Sequence, residues 1–180
     1  KAYTKDGNLP TGIGGDDKAG VFICLQLLER FNVIKGFFPV AEETGCHGSR
    51  GAKEEFFNNV GYAIQFDSTE NDTMSLSLMG TQLFEQDSEF FNKTKGLILE
   101  HGFTEWRHHP YTDTMVLKER FNFSCLNFAA GYYNYHSNNE YVIVEDVLNS
   151  TLLGESVIKK LGNKFYEFKP VQRESDFWLD

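Results

Sequence analysis

Two pairs of adjacent carboxylates are the residues of this 180-residue chain whose types and spacing could do chemistry. Asp16-Asp17 follows two glycines at the start of a predicted helix, and Glu42-Glu43 follows an apolar run. Hard oxygen ligands delivered from two neighbouring loops suit a divalent metal ion. A further carboxylate beside a ligating one can take a proton from water. The spacing therefore predicts a centre for metal-assisted hydrolysis.

Two later polar residues extend this pattern. Asp67 ends a short apolar strand, and His136 lies in a turn rich in Tyr and Asn after another predicted strand. In parallel sheets, ligand sites form where strands end at their carboxyl edge. We therefore expect both residues to lie near the two carboxylate pairs at one edge of a sheet.

Alternating strand and helix patterns predict the elements that position these residues. We expect a short strand and a turn in 1–15, helices over 16–30, 49–57, 83–102, 112–120 and 140–161, and strands over 33–40, 62–66, 73–79 and 124–129. Ser49 is the predicted N-cap of the second helix, strand 73–79 is predicted to be half-buried or at an edge, and 164–180 fits no element. This order predicts an α/β fold with one domain, a three-layer sandwich whose mixed, mainly parallel central sheet is flanked by helices.

Composition excludes several classes of function. A net charge of −9 and no cluster of Lys or Arg argue against nucleic acid as a partner. No apolar stretch approaches the roughly 20 residues of a membrane span. Three cysteines without a framework spacing favour a reducing, cytoplasmic location. The oligomeric state is open, and a homo-oligomer is compatible with the sequence.

Several motifs together carry a resemblance to a known group of enzymes. The chain resembles the co-catalytic zinc exopeptidases, which include peptidase T, carboxypeptidase G and the bacterial leucine aminopeptidases. The matching segments are Gly-Gly-Asp-Asp-Lys-Ala-Gly at 14–20, Glu-Glu-Thr-Gly at 42–45, the strand-end Asp at 66–68, Thr-Asp at 112–113 and His-Ser-Asn-Asn-Glu at 136–140. Their order and spacing agree with the family over most of the chain.

The resemblance implies a zinc aminopeptidase-like (phosphorylase/hydrolase-like) fold and a role for each position. Asp16 would bridge two Zn²⁺ ions, and the peptide bond between Asp16 and Asp17 would be cis. Glu43 and His136 would complete one metal site, while Asp67 would bind the other metal. Glu42 would be the general base. The cofactor would be one or two Zn²⁺ ions per chain, with Co²⁺ or Mn²⁺ as substitutes; Asp17, Thr112 and Asp113 would support the site.

The chain departs from the family in two respects. An upstream His-x-Asp motif supplies a ligand of the second metal in the family, yet the 15 residues before Asp16 contain no His. We expect either that an N-terminal segment is missing or that only the site of Asp16, Glu43 and His136 is complete; His47 or Cys46 could replace the ligand. The 68 residues between Asp67 and His136 leave no room for a lid or dimerisation domain.

Simpler interpretations stay open for each residue. Asp16 and Asp17 could be capping carboxylates at a helix start. Glu43 and Asp67 could be solvated loop ends, and His136 could be a hydrogen-bonding residue of its turn. Asp113 is expected to be a structural helix cap.

Three functions follow from these interpretations. The first is an exopeptidase that hydrolyses a peptide or related amide bond with Glu42 as base. The second is a catalytically retired homologue that binds metal and serves as a binding protein, and the third is a deacylase for a non-peptide amide. The sequence does not identify substrate-binding residues, although aromatic residues around Tyr111 and Tyr132-Tyr133 are candidates for a pocket.

Overall fold

The structure is a computed structural model that describes residues 2–169. Its helices are α1 (Gly15–Arg30), α2 (His47–Arg50), a 3-10 turn (Glu54–Phe57), α3 (Glu89–Glu100), α4 (Asp113–Phe121) and α5 (Val144–Leu161). Its strands are β1 (Ala2–Tyr3), β2 (Pro10–Thr11), β3 (Ala63–Ser68), β4 (Thr73–Leu78), β5 (Thr81–Gln82), β6 (Glu105–His109), β7 (Cys125–Ala129), β8 (Tyr132–Tyr133) and β9 (Tyr141–Val142).

The central sheet has five strands, and its long pairings are parallel. β3 runs parallel to β7, and β4 runs parallel to β6. The two halves join where Met74 of β4 faces Phe128 of β7 in an antiparallel pair. The short β5 folds back on the end of β4, also antiparallel. The sheet is therefore mixed and mainly parallel, which confirms the predicted α/β class.

Helices cover both faces of this sheet, as the alternation of side chains along β3 shows. Phe66 points towards α1 and α5, because a Cβ built on Gly154 of α5 would lie 2.8 Å from its ring. Its neighbour Gln65 points to the opposite face, where its side-chain oxygen accepts a 3.0 Å hydrogen bond from the backbone N–H of Thr114 in α4. Successive residues of a strand face opposite sides of a sheet. The α4 layer and the α1–α5 layer therefore enclose the sheet.

Aromatic side chains fill the core between these layers. Phe66, Phe103 and Phe128 are each at most 1% exposed. The ring of Phe128 lies 6.0 Å from that of Phe66 and 5.3 Å from that of Phe103, measured between centroids. Burying one such side chain stabilises the fold by about 1.5–3 kcal/mol. This core fixes β3 and β7, whose ends lead into the predicted site.

The predicted strand over 33–40 is wrong. These residues belong to no strand, and Val33 and Val40 are 69% and 72% exposed. A strand requires a hydrogen-bonding neighbour, and within the described part of the chain β3 pairs only with β7. The segment 33–40 instead lies across a groove from the other edge of β3. Its apolar sequence predicted a strand buried in the sheet, but every residue of the segment is exposed or only partly buried, and no described strand pairs with it.

Other boundaries also differ from the predictions. Ser49 lies inside α2 rather than capping a helix over 49–57, which Gly51 and the following residues divide into two short pieces. The helix predicted over 83–102 begins only at Glu89, where Ser88 caps it by accepting from the N–H of Phe91. The helix predicted over 140–161 begins at Val144, because the residues before it form β9.

Two strand predictions need correction as well. β4 lies inside the sheet rather than at its edge, since it pairs with β5, β6 and β7. β6 was not predicted, because its sequence Glu-Trp-Arg-His-His lacks the apolar pattern of a strand. Of the unassigned segment 164–180, Glu167 forms a bridge with Phe123, and residues 170–180 lie outside the described part.

Within residues 2–169, no helix combines the length and the apolar character needed to cross a membrane.

Candidate metal centre

Asp16 lies in the turn that leads into α1. Gly14 adopts a left-handed conformation with φ 70°, and the peptide bond between Asp16 and Asp17 is cis, as the resemblance implied. The regular helix begins after Asp17, whose Oδ1 accepts a 2.9 Å hydrogen bond from the N–H of Gly20. Asp17 therefore caps the helix, while the side chain of Asp16 is free to face the site and is only 11% exposed.

The pair Glu42-Glu43 lies in a tight turn before α2. The backbone N–H groups of Gly45 and Cys46 both donate to the carbonyl oxygen of Glu42 at 2.9 Å. The hydroxyl of Tyr111 donates to the carbonyl oxygen of Glu43 at 2.8 Å. These hydrogen bonds fix the backbone of Glu42 and Glu43, and so they fix the points from which the two side chains extend.

Asp113 joins α4 to α2, the helix that follows this turn. Its carboxylate accepts a hydrogen bond from the hydroxyl of Ser49, and both side chains are buried. Desolvation raises the pKa of Asp113 above its ordinary value, while the bond from Ser49 opposes that rise. Asp113 is the first residue of α4 and has a structural role in this geometry.

His136 comes from the turn between β8 and β9. Its backbone is left-handed, with φ 56°, and the antiparallel pairing of Tyr132 with Val142 closes the turn. The ring of Tyr135 meets the imidazole edge-on, with 4.8 Å between centroids. This turn directs His136 towards α1 and the Glu42-Glu43 turn.

Three of the predicted ligands meet. The Nε2 atom of His136 lies 3.0 Å from Oδ2 of Asp16 and 2.9 Å from Oε1 of Glu43. In the described part of the chain, these three side chains form the one group of at least three acidic, His or Cys ligands whose donor atoms all lie within 4.8 Å of one another. Three segments far apart in the sequence therefore deliver one nitrogen and two carboxylates to a single point.

The charges of this group depend on one another. The hydrogen bond to Glu43 raises the pKa of His136 above its ordinary value, and the charges of Glu43 and Asp16 act in the same direction. Desolvation raises the pKa of Asp16, as does the nearby charge of Glu43. Clustered carboxylates repel one another, so a cation among them stabilises their charged forms.

Glu42 lies beside this group without belonging to it. Desolvation, together with the charges of Glu43 and Asp113, raises the pKa of Glu42 to about 7. A general base works best when its pKa lies near the operating pH. The thiol of Cys46 lies 3.9 Å from Oε1 of Glu42, and its own pKa is raised to about 12, chiefly by desolvation.

Asp67 lies in β3, one residue before the end of the strand, and is held by two donors. The hydroxyl of Thr112 and the amide of Gln65 donate to its Oδ2 at 2.6 Å and 3.0 Å. Desolvation raises its pKa, as do the charges of Glu42 and Asp16, while the bond from Thr112 lowers it. Asp67 is close enough to interact with these carboxylates but is not a member of the three-residue group.

The two candidates for a replacement ligand do not join the group either. His47 is exposed at the start of α2, and Cys46 is fully buried beneath the turn. His108 and His109 lie on β6, where their Nδ1 atoms contact the hydroxyls of Ser77 and Ser75.

Two residues organise the site in ways that sequence analysis did not assign to them. Gln65 joins Thr112 to Asp67, since its amide also lies 2.7 Å from the Thr112 hydroxyl. Tyr111 holds the carbonyl of Glu43. Only Tyr111 carried a signal, because it precedes the Thr-Asp motif; Gln65 is recognisable only as a polar residue two positions before Asp67 in a strand.

The three-residue group offers donor atoms of the types found at zinc sites. Catalytic zinc sites use three nitrogen or oxygen ligands from the protein and leave a fourth position open. Ligand bonds of about 2.0–2.1 Å in tetrahedral geometry place donor atoms roughly 3.3 Å apart. The observed separations of 2.9 Å and 3.0 Å need to widen only slightly. The exposure of His136 and Glu43, at 58% and 57%, leaves that side accessible to solvent.

A groove of about 830 Å³ leads away from this centre along β3. Asp16, Glu42, Glu43 and Asp67 line its end near the centre, and mainly apolar residues such as Phe37 line the remainder. None of the three tyrosines suggested for a pocket lines this groove. Tyr132 is buried, and the ring of Tyr133 stacks on that of Tyr141.

Comparison with family models and with curated proteins finds no match for this chain.

Proposed function

We propose that this protein is a zinc-dependent hydrolase of the exopeptidase type, which cleaves a peptide or related amide bond. The observation that carries the proposal is the meeting of Asp16, Glu43 and His136 within hydrogen-bonding distance, with Glu42 immediately beside them. The ligand Glu43 and the base Glu42 are adjacent in one turn, which places a proton acceptor beside the proposed metal-bound water.

Asp16, Glu43 and His136 would hold the ion. A zinc ion bound there would polarise the scissile carbonyl and lower the pKa of water to near 7. Co²⁺ or Mn²⁺ could occupy the same set of nitrogen and oxygen donors.

Glu42 moves the proton. Glu42 is not a member of the three-residue group. Its carboxylate can therefore accept a proton from the attacking water. Glu42 then donates that proton to the leaving amine, which restores the carboxylate. The same carboxylate can carry out both transfers, because it returns to its starting form once the amine has taken the proton.

Asp67 would serve a second ion together with Asp16. Its Oδ2 is already bonded to Thr112 and Gln65, so Oδ1 is the oxygen that remains for a metal. The residues described supply no third ligand at this position. The proposed hydrolysis therefore requires one ion, bound by Asp16, Glu43 and His136. It does not require a second ion at Asp67.

The test combines metal content with hydrolysis. Elemental analysis of the chain, purified without chelator or affinity metal, should give one Zn²⁺ per chain, and a panel of aminoacyl amides, dipeptides and N-acyl amino acids should reveal the substrate class. The Glu42→Gln variant should keep the metal and lose hydrolysis, whereas Glu54→Gln, at an exposed turn, should keep both. Zinc without any hydrolysis would favour the retired binding protein, and a chain without zinc would overturn the proposal.

A further inference from the structure

Glu140 lies outside the three-residue group, yet its carboxylate contacts the segment that carries Asp16. Oε2 accepts a 2.6 Å hydrogen bond from the backbone N–H of Gly14, and Oε1 accepts a 2.9 Å bond from the N–H of Asp16. These two residues lie at least 124 positions before Glu140 in the chain. The contact is therefore tertiary and joins two distant loops.

The backbone before α1 is shaped around this carboxylate. A Cβ built on Gly12 would lie 2.7 Å from Oε2 of Glu140 and 2.9 Å from the carbonyl oxygen of Ser137. A Cβ on Gly15 would lie 2.7 Å from the side chain of Val142. Gly14 is left-handed, a conformation that glycine adopts without steric cost. The glycines of this segment allow successive N–H groups to close around an anion.

The bound carboxylate is charged. Desolvation acts to raise the pKa of Glu140, but the bonds from the N–H groups of Asp16, Gly14 and Gly15 outweigh it and hold the pKa below its ordinary value. Hydrogen bonds to a charged acceptor are about twice as strong as neutral ones. The two hydrogen bonds to the Glu140 carboxylate therefore make a strong link between the loops.

Glu140 also belongs to the segment that carries His136. The N–H of Glu140 donates to the carbonyl oxygen of Ser137 at 3.3 Å, and the next two residues form β9. The position of Glu140 is therefore fixed relative to the turn of His136. One side chain thus connects the backbone of one proposed ligand to the loop of another.

We propose that Glu140 is a positioning residue that sets the separation between Asp16 and His136 and so preorganises the metal centre. This inference rests on the proposed function. Without the carboxylate, the N–H groups of Gly14 and Asp16 lose their acceptors, and the Asp16 segment is free to move away from the β8–β9 turn. Supporting residues of this kind typically change metal affinity about 10- to 100-fold.

The experiment compares Glu140→Gln with a matched control, Glu145→Gln. Both remove one negative charge, but Glu145 is exposed in the first turn of α5. Zn²⁺ affinity, measured by competition with a chromophoric chelator, should fall about 10- to 100-fold in Glu140→Gln and stay at the wild-type value in Glu145→Gln. The visible absorption of Co²⁺ should change only in Glu140→Gln, a signature that a loss of stability alone does not produce.

A measurement on the wild-type chain covers the case in which Glu140→Gln does not fold. Amide hydrogen exchange at Gly14 and Asp16 should already be slow in the metal-free wild-type chain, because the carboxylate of Glu140 accepts hydrogen bonds from both N–H groups. Fast exchange at both amides in the metal-free chain would overturn the inference, as would equal zinc affinity in the two variants. Absence of zinc binding by the wild-type chain would instead overturn the proposed function, and the inference with it.

Discussion

The hydroxyl of Thr112 donates a 2.6 Å hydrogen bond to Oδ2 of Asp67, so the residue before α4 stabilises a carboxylate in the middle of the site. Thr112 occupies the N-cap position of α4, yet its side chain makes no cap hydrogen bond. Thr112, which was predicted to begin a helix, instead donates to Oδ2 of Asp67 and leaves Oδ1 without a hydrogen bond from Thr112.

Replacing Thr112 with Val should destabilise the fold. The substitution keeps the shape of the side chain but removes a donor to a desolvated carboxylate, which costs about 1–3 kcal/mol. Urea denaturation at pH 7 should show a lower midpoint with an unchanged slope. Thr104→Val, at an exposed site, should change the free energy of unfolding by less than about 0.5 kcal/mol; equal midpoints for the two variants would contradict the role of Thr112.

Gly20→Ala should also destabilise the chain. A Cβ at Gly20 would overlap the carbonyl oxygen of Phe66 and the carboxylate of Asp17, so α1 would have to move away from β3. We expect a loss of about 1–3 kcal/mol.

The control for this substitution is Gly96→Ala in α3. A Cβ there meets no atom within 4 Å, and the position is exposed. Alanine in a helix interior should stabilise by about 0.5–1 kcal/mol relative to glycine. Thermal midpoints should therefore shift in opposite directions, and a shift in the same direction would show that α1 does not lie against β3.

The stability of the metal-free chain should fall as the pH rises from about 4.5 to 7. The pKa values of Asp16, Glu42, Asp67 and Asp113 are all raised in the folded state, chiefly by desolvation. In this window the folded chain holds protons that the unfolded chain has released, so each unit of pH weakens folding. The raised pKa of His136 extends the decline above 6.5.

Zinc should reverse this pH dependence. Metal binding requires deprotonated carboxylates and a neutral imidazole, so it stabilises the folded state more at higher pH. Urea midpoints measured from about pH 5 to 7.5, with and without Zn²⁺, test both directions. Midpoints that rise with pH in the metal-free chain would contradict the clustering of carboxylates.

His136→Ala should weaken zinc binding by at least about 100-fold, more than the loss of a supporting residue. The variant lacks the one nitrogen donor of the three-residue group. His108→Ala is the matched control, because His108 is exposed on β6 and contacts Ser77 rather than the proposed centre. Calorimetric titration with Zn²⁺ should separate the two, and equal affinities would remove His136 from the ligand set.

The sequence could place two of the candidate residues, because each lies at or near the end of a regular element. Asp16 precedes a helix with a clear apolar stripe, and Asp67 lies near the end of an apolar strand, so element boundaries located both. Glu140 was different. Its role depends on the backbone of Gly14 and Asp16, and no pattern within its own segment reports a tertiary hydrogen bond.

The missed and mistaken strands have the same cause. β6 is rich in charge and becomes a strand because β4 offers a free side for pairing. The segment 33–40 is apolar but pairs with no described strand. Pairing is a property of neighbours rather than of one segment, so local pattern predicted neither outcome.

The unpaired side of β3 gives this chain a surface that another backbone can extend. Among the described residues β3 pairs with β7 alone, and residues of β3 line the groove on its other side. Open strand edges are templates for association between molecules. We therefore expect the isolated chain to self-associate as its concentration rises, and an added extended peptide that fills the groove to keep it monomeric.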